Sequence, residues 1–242
     1  DDRLTASMRE SAFGAASVIA DMNADGVPDV VKQTSLNAPQ HVAVTYNDPD
    51  NEGFFDFYDT VYDIAPYFVS VGDLNGDGSL DIVVVDDGLD RYMINQGNDG
   101  AGHAEFVSYT FPSGSDNFGG NSWIDDLNND GLMDVIITDV DVDISGCSRR
   151  MQIYRNQGGT GGGIFQEQGE VIPFALSNGT HDVAVFDING DGWLDMIVGR
   201  CTDTRIWINQ PPTGIVFNYP DGLPAFVTPD EPLDFPVGRQ EI

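Results

Sequence analysis

The chain has 242 residues, of which 40 are Asp or Glu and only 10 are Lys or Arg, so its formal net charge at pH 7 is −30. A surface this acidic repels nucleic acids and anionic membrane surfaces, and neither is an expected partner. No apolar run approaches the roughly 18 residues of a membrane-spanning helix, while an apolar fraction of 40% with 28 Gly and 13 Pro predicts a core interrupted by many turns.

Four similar acidic segments of nine residues divide the chain into repeats. They read DMNADGVPD at 21–29, DLNGDGSLD at 73–81, DLNNDGLMD at 126–134 and DINGDGWLD at 187–195, and they are called loops 1 to 4 below. Sequence repeats of about this spacing, roughly 50 residues, are typical of solenoids, propellers or arrays.

Each repeat reads as four short strands, with the acidic loop between the first and the second. The first strands are predicted at 17–20, 67–72, 122–125 and 182–186, and the second at 30–31, 82–85, 135–138 and 196–199. The third strands end at Asn47, Asn95, Asn156 and Asn209, and the fourth are predicted at 53–58, 104–111, 163–168 and 214–219. No helical period is convincing. Four strands per repeat predict the blades of an all-β propeller, with a β-sandwich as the alternative.

The acidic loops have the composition of a hard-cation site. Asp stands at positions 1, 5 and 9 and Asn at position 3, and position 6 is always Gly, which predicts a turn that needs a positive φ angle. Calcium takes six to eight oxygen ligands, and side chains at alternate positions of a tight loop supply them. Position 7 varies, as expected of a residue that gives only its backbone carbonyl.

The predicted calcium ligands are the residues at positions 1, 3, 5, 7 and 9 of each loop. They are Asp21, Asn23, Asp25, Val27 and Asp29; Asp73, Asn75, Asp77, Ser79 and Asp81; Asp126, Asn128, Asp130, Leu132 and Asp134; and Asp187, Asn189, Asp191, Trp193 and Asp195. An EF-hand needs Glu at position 12, where this chain has Lys32, Val84, Ile137 and Val198. A polar turn that binds no metal is the alternative.

The pattern D-x-N-x-D-G-x-x-D, followed by an apolar strand and an Asn-Gln turn, resembles the FG-GAP/VCBS repeat family over about 13–219. The resemblance implies a calcium-binding β-propeller similar to the integrin α-subunit head, with about four Ca²⁺. It divides the chain into a lead-in or preceding outer strand (1–12), four repeats (13–60, 61–112, 113–172 and 173–219) and a Pro-rich tail or linker (220–242). Family propellers commonly have more blades, so we expect a larger ring or an assembly, with a closed four-bladed ring as the alternative.

In the propellers that this chain resembles, ligands usually meet the face opposite the metal loops. The corresponding loops here are 34–40, 86–90, 139–150 and 199–204. Cys147 and Cys201 fall in equivalent loops of adjacent repeats, which predicts a disulfide in an oxidising compartment and free thiols in the cytosol. Seven aromatic residues, Phe54, Phe55, Phe57, Tyr58, Tyr62, Tyr67 and Phe68, form either blade core or a stacking platform for carbohydrate.

These observations predict a non-enzymatic, secreted or cell-surface module for adhesion or recognition, stabilised by calcium, that binds a protein or a glycan. Calcium sites of the 10⁻⁴–10⁻³ M class suit extracellular calcium. Two alternatives are an architectural subunit that self-assembles on a surface or in a fibre, and a calcium-dependent enzyme acting on polysaccharides. No acid–base pair stands out in the sequence, which favours the non-enzymatic hypothesis.

Overall fold

The computed structural model describes residues 3, 16–34, 40–64, 66–86, 88–112, 119–139, 151–169, 174–177, 179–201, 203–210 and 225–227. Several predicted features lie outside these residues. They are most of the lead-in and tail, much of the ligand-face loops 34–40 and 139–150, Cys147, and the predicted strand 214–219.

Sixteen strands form four separate sheets, one per repeat, which are called blades 1 to 4. Blade 1 contains β1 (Ala16–Ala20), β2 (Asp29–Thr34), β3 (His41–Asn47) and β4 (Phe55–Tyr62). Blade 2 contains β5 (Pro66–Gly72), β6 (Asp81–Asp86), β7 (Arg91–Asn98) and β8 (Ala104–Thr110). Blade 3 contains β9 (Gly119–Asp125), β10 (Asp134–Asp139), β11 (Met151–Asn156) and β12 (Phe165–Glu167). Blade 4 contains β13 (Thr180–Phe186), β14 (Asp195–Arg200), β15 (Thr204–Gln210) and β16 (Ala225–Val227).

Every blade has its strands in chain order, and every neighbouring pair is antiparallel. The predicted all-β fold of four-stranded antiparallel propeller blades is therefore confirmed. The one departure among the described residues is a single helical turn, α1 (Phe174–Ser177), which precedes blade 4. Among these residues no helix combines the length and apolarity that crossing a membrane requires.

The fourth strand of blade 4 differs from its predicted position. The sequence pattern predicts it at 214–219, whereas β16 pairs with β15 through Ala225–Val227, inside the range predicted as tail. Pro211 and Pro212 directly follow β15. Proline has no N–H to donate to a sheet ladder, so a tight hairpin return like those of the other blades is disfavoured here.

The hydrophobic core consists of three clusters, each between two consecutive blades. Val31 and Val44 of blade 1 pack against Ile82 and Val84 of blade 2. The second cluster joins blades 2 and 3 and the third joins blades 3 and 4, where Trp207 is buried. Each blade thus buries an apolar face only by contact with the next one, as in other repeat proteins. No cluster of described residues joins blade 1 to blade 4.

Consecutive blades are linked by three members of a set of four equivalent asparagines, which lie at or near the ends of the third strands. Each of them lies buried, and they are called the link asparagines: Asn47, Asn95, Asn156 and Asn209. Asn156 Nδ2 donates to the Leu74 carbonyl in blade 2 (2.6 Å) and to the Met133 carbonyl in its own blade (2.9 Å). Asn95 likewise reaches the Met22 carbonyl of blade 1. Because the Leu74 and Met22 carbonyls are buried, each link between blades replaces a contact with water that folding removes.

The first prediction concerns this link. Replacing Asn156 by Ala leaves the buried Leu74 carbonyl and the partly buried Met133 carbonyl without their amide donor, so we expect a loss of about 2–4 kcal/mol in the free energy of unfolding. Urea denaturation with circular dichroism measures the loss. The exposed neighbouring change Gln157→Ala is the control and should cost less than about 0.5 kcal/mol. Equal stability of the two variants would contradict the role of the link.

Candidate functional site

The first aspartate of each loop closes the turn with backbone hydrogen bonds. One carboxylate oxygen accepts from the N–H of position 5 and the other from the N–H of the position 6 glycine, as when Asp21 accepts from Asp25 (3.1 Å) and Gly26 (2.9 Å). Asp73, Asp126 and Asp187 make the same pair of bonds. The N–H of Gly192 is the main cause that lowers the pKa of Asp187.

Positions 3, 5 and 7 form a second set of bonds inside the loop. In loop 3, the Asn128 amide donates to Asp130 Oδ2 (3.0 Å), and the N–H of Leu132 donates to Asp130 Oδ1 (3.0 Å). The other loops repeat this arrangement, with Val27, Ser79 and Trp193 as the position 7 donors. The structure therefore brings together, within each loop, the residues that the sequence pattern selects.

Two positions of every loop have left-handed backbone. The position 6 glycines have φ between 87° and 93°, which confirms the predicted turn. Position 4 also has a positive φ, although its residue is not always glycine: φ is 57° at Ala24 and 56° at Asn129. Asn tolerates this region, and Asn129 also donates to the Gly192 carbonyl of loop 4 (3.1 Å). Ala24 carries the strain of a Cβ in this region without such compensation.

The position 9 aspartates join three parts of their blade. These residues, Asp29, Asp81, Asp134 and Asp195, have no exposed surface and are called the anchor aspartates. In Asp134, one oxygen accepts from the N–H of Leu127 in the loop (3.1 Å) and the other from the N–H of Asn156 at the end of β11 (2.8 Å). The residue itself begins β10. One carboxylate thus connects the loop, the second strand and the third strand.

Burial makes the negative charge of the anchor aspartates unfavourable. Desolvation raises the pKa of Asp134 to about 7 and that of Asp81 to about 6. The two backbone N–H groups that each carboxylate binds lower its pKa but do not offset the effect of burial. The carboxylates at positions 1 and 5 of the same loop raise it further. The pKa values of Asp29 and Asp195 are also raised, first by burial.

Each loop offers three carboxylates, one amide oxygen and a backbone carbonyl as oxygen donors, which is the set that Ca²⁺ prefers. In the described residues no three acidic, His or Cys side chains converge as a ready-made metal site, because the aspartate oxygens face backbone N–H groups. A carboxylate oxygen that accepts one such bond keeps a second lone pair. The donor chemistry therefore fits calcium in all four loops.

Loop 3 differs from the others because a basic side chain reaches it. Arg155 Nη2 lies 3.4 Å from Asp130 Oδ2. The residue before the link asparagine is Tyr46, Ile94 and Ile208 in the other blades. A guanidinium beside a candidate ligand competes electrostatically with a bound cation, and the sequence pattern contains no signal for it.

Loop 1 also contacts a hairpin of the neighbouring blade. Asn23 of loop 1 donates through Nδ2 to the Gly102 carbonyl in the β7–β8 hairpin (3.0 Å), and Asn98 of that hairpin donates back to the Asn23 carbonyl (2.7 Å). The β7–β8 hairpin also carries His103. Loop 1 is thus fixed to a segment of blade 2 by two hydrogen bonds.

The seven aromatic residues divide between core and surface. Tyr62 is buried, with its hydroxyl donating to Asp86, whereas Phe54 and Phe57 are exposed. The ring of Phe57 is stacked on that of His103 with the centroids 3.6 Å apart. The set therefore contains both core rings and surface rings, and a stacking platform for carbohydrate stays a prediction.

A shallow groove of about 310 Å³ adjoins the Phe57–His103 pair, between the outer strands of blades 1 and 2. Its polar lining includes Asp59, Asp99 and Glu105. The groove lies beside the β7–β8 hairpin, which is at the same ends of the strands as the acidic loops. The resemblance instead implied a ligand site at the opposite ends, much of which lies outside the described residues.

The predicted cysteine pair stays a prediction. Cys201 is a free, partly buried cysteine whose Sγ lies 3.1 Å from His181 Nε2. Cys147 lies outside the described residues. The contact with His181 could not be predicted from the sequence, because the two residues are 20 positions apart, with His181 in β13 and Cys201 directly after β14.

The raised pKa values generate a prediction for the metal-free protein. An aspartate with a folded-state pKa of about 7 holds its proton more tightly when folded than when unfolded, so stability falls as the pH rises from about 4 to 7. In EDTA, the melting temperature should therefore fall between about pH 4.5 and 7.5. Asp134→Asn should make the fall less steep, while Asp50→Asn, an exposed control, should leave its slope unchanged. If the melting temperature of Asp134→Asn fell with pH as steeply as that of the wild type, the raised pKa of Asp134 would be contradicted.

Comparison with known proteins identifies the repeat family. The FG-GAP-like repeat matches the chain twice, at residues 73–137 and 126–198, which together cover just over half of it. Both matches begin at the first aspartate of an acidic loop. A comparison with curated proteins found no match. The two repeat matches and the four blades agree, and the chain belongs to the FG-GAP-like repeat family.

Proposed function

We propose that this chain is an extracellular, calcium-stabilised propeller module for recognition, which binds a glycan or a protein and has no catalytic activity. The observation that carries the proposal is the set of anchor aspartates. Each is fully buried in a loop with two further carboxylates, and in loop 3 the side chain of Arg155 lies beside one of them, Asp130. One divalent cation per loop would neutralise most of this charge.

Calcium would be held by the residues at positions 1, 3, 5, 7 and 9, which are already gathered by the hydrogen bonds of the loop. Its contribution would be to neutralise the aspartates and so stabilise the connection between the first and second strands. The third strand is held by the protein itself, because each anchor aspartate accepts a hydrogen bond from the N–H of the link asparagine in its blade.

The complete burial of the anchor aspartates, whose pKa values are raised, favours a structural role over catalysis. The four anchor aspartates all have raised pKa values. Catalytic acids often have raised pKa values, but they must also touch a substrate. Side chains without exposed surface cannot do so. FG-GAP-type repeat modules are, moreover, typically non-enzymatic.

The Phe57–His103 pair is the best candidate for the ligand contact. Phe57 is 39% exposed and forms a flat platform beside carboxylates that accept hydrogen bonds from hydroxyl groups. These features suit a sugar, which has an apolar ring face and polar edges. Because Asn23 connects loop 1 to the hairpin with His103, calcium in loop 1 would also order the platform.

Calcium binding is tested first on the protein alone. We expect Ca²⁺ to raise the melting temperature relative to EDTA, with calorimetric titration giving four sites in the wild-type chain. Asp191→Asn should reduce the count to three, and Asp50→Asn, which makes the same change of charge on an exposed residue outside the loops, should keep four. Unchanged melting in EDTA and absence of binding heat would contradict the proposal.

Glycan recognition is tested on an array with matched calcium and EDTA arms. We expect binding that is weaker in EDTA and reduced at least about tenfold by Phe57→Ala, which is about 1.4 kcal/mol. The control is Phe54→Ala, an exposed aromatic residue for which no ring contact is recorded. A blank array, or equal effects of the two changes, would contradict the glycan contact without affecting the calcium sites.

A further inference from the structure

The carboxylate at position 5 of loop 3, Asp130, has a contact that its equivalents in the other loops cannot make. Its Oδ1 accepts from the N–H of Leu132 (3.0 Å), and its Oδ2 accepts both from the Asn128 amide (3.0 Å) and from Arg155 Nη2 (3.4 Å). A carboxylate oxygen has two lone pairs, so both of those on Oδ2 are engaged. In the other loops this oxygen also accepts from the position 3 amide, but the residue that corresponds to Arg155 is uncharged: Tyr46, Ile94 or Ile208.

The ion pair of Arg155 and Asp130 is partly shielded from solvent. The side chain of Arg155 is 18% exposed and that of Asp130 is 30% exposed. The Nε atom of Arg155 is buried and donates no hydrogen bond within the described residues, so the contact with Asp130 accounts for the position of the guanidinium. Salt screens a partly buried pair less than it screens a pair on the open surface. The two charges therefore stabilise each other when no metal ion is bound.

Strand β11 holds the backbone of Arg155 beside loop 3. Arg155 pairs with Gln166 of β12, and the next residue, Asn156, donates through its N–H to Asp134, the anchor aspartate of the same loop. The backbone at Arg155 is therefore fixed, while the side chain can leave Asp130 by a change of rotamer. A cation in loop 3 would meet the guanidinium at short range, where like charges repel.

We propose, on the basis of the calcium binding proposed above, that Arg155 is an internal counter-ion of loop 3 and makes this loop the weakest of the four calcium sites. Calcium has to displace the guanidinium from Asp130 before Asp130 Oδ2 becomes a ligand, so part of the free energy of binding is lost. Arg155 thus stabilises the loop when calcium is scarce, and calcium replaces it when calcium is abundant. Loop 3 is the last of the four loops to fill as the calcium concentration rises.

Removal of the charge should have opposite effects with and without calcium. In EDTA, Arg155→Gln loses the ion pair, so its melting temperature should lie below that of the wild type. In calcium, the same variant should bind the ion in loop 3 about tenfold more tightly. Because tighter binding stabilises the folded protein more, the rise in melting temperature from EDTA to calcium should be larger in Arg155→Gln. If Arg155 only packed against the blade, the variant would lose the same stability under both conditions.

Calorimetric titration of the full chain with Ca²⁺ assigns the weak site. We expect the wild type to have three sites of similar affinity and a fourth that is about tenfold weaker, and Arg155→Gln to have four similar sites. Asp130→Asn should remove the weak site, whereas Asp191→Asn should remove one of the stronger sites. Arg155→Lys, which keeps the positive charge, should keep the weak site. The matched control is Arg205→Gln, which removes the same charge from an exposed ion pair with Asp203 outside the loops and should leave all four affinities unchanged.

Four equivalent sites in the wild type, or a weak site that persists in Arg155→Gln, would overturn the role of Arg155 and leave the calcium sites in place. Loss of the weak site in Asp191→Asn instead of Asp130→Asn would place it in loop 4 and overturn that role as well. Absence of binding heat from every variant would contradict the proposed function, and the role of Arg155 with it. Circular dichroism spectra that match the wild type confirm that the variants are folded, so that a changed affinity reports the loop.

Discussion

The blades depend on a buried carboxylate that accepts its hydrogen bonds from the backbone. Each anchor aspartate accepts one N–H from the loop and one from the end of the third strand, so a single side chain sets the spacing of three segments. An isolated buried charge is unfavourable unless it is hydrogen-bonded and neutralised. The hydrogen bonds are present, and the proposed divalent cation would supply the neutralisation.

The contact between blades follows from the same geometry. The backbone N–H of a link asparagine binds its own anchor aspartate, while its side chain donates to the preceding loop. One residue therefore couples the inside of a blade to its neighbour. This coupling is weaker in blade 4, because Asn209 Oδ1 accepts no hydrogen bond there. In blades 2 and 3 that donor is the N–H of Gly97 or Gly158, but the matching residue here is Pro211, which has none.

Much of the fold could be predicted from the sequence because the determinants are local and repeated. The Asp, Asn and Gly spacing of the loops, the apolar strand after each, and the four strands per repeat are all visible within about ten residues. The partners of the link asparagines could not be predicted, since Asn156 and Leu74 are 82 positions apart. The same applies to the stacking of Phe57 on His103, which requires the packing of two blades. The late position of β16 could not be predicted either, because the strand lies outside the repeat pattern.

The direction of the links has a consequence for how the chain acquires its structure. Every described link runs backward, from a third strand to a loop made earlier in the chain. When a ribosome synthesises such a chain, the acceptor carbonyl and the apolar face of each blade exist before the blade that needs them emerges. Each nascent blade can then dock on a finished template, so unpaired sheet surface is limited to one blade at a time. Domains that form in this order expose little aggregation-prone surface during synthesis.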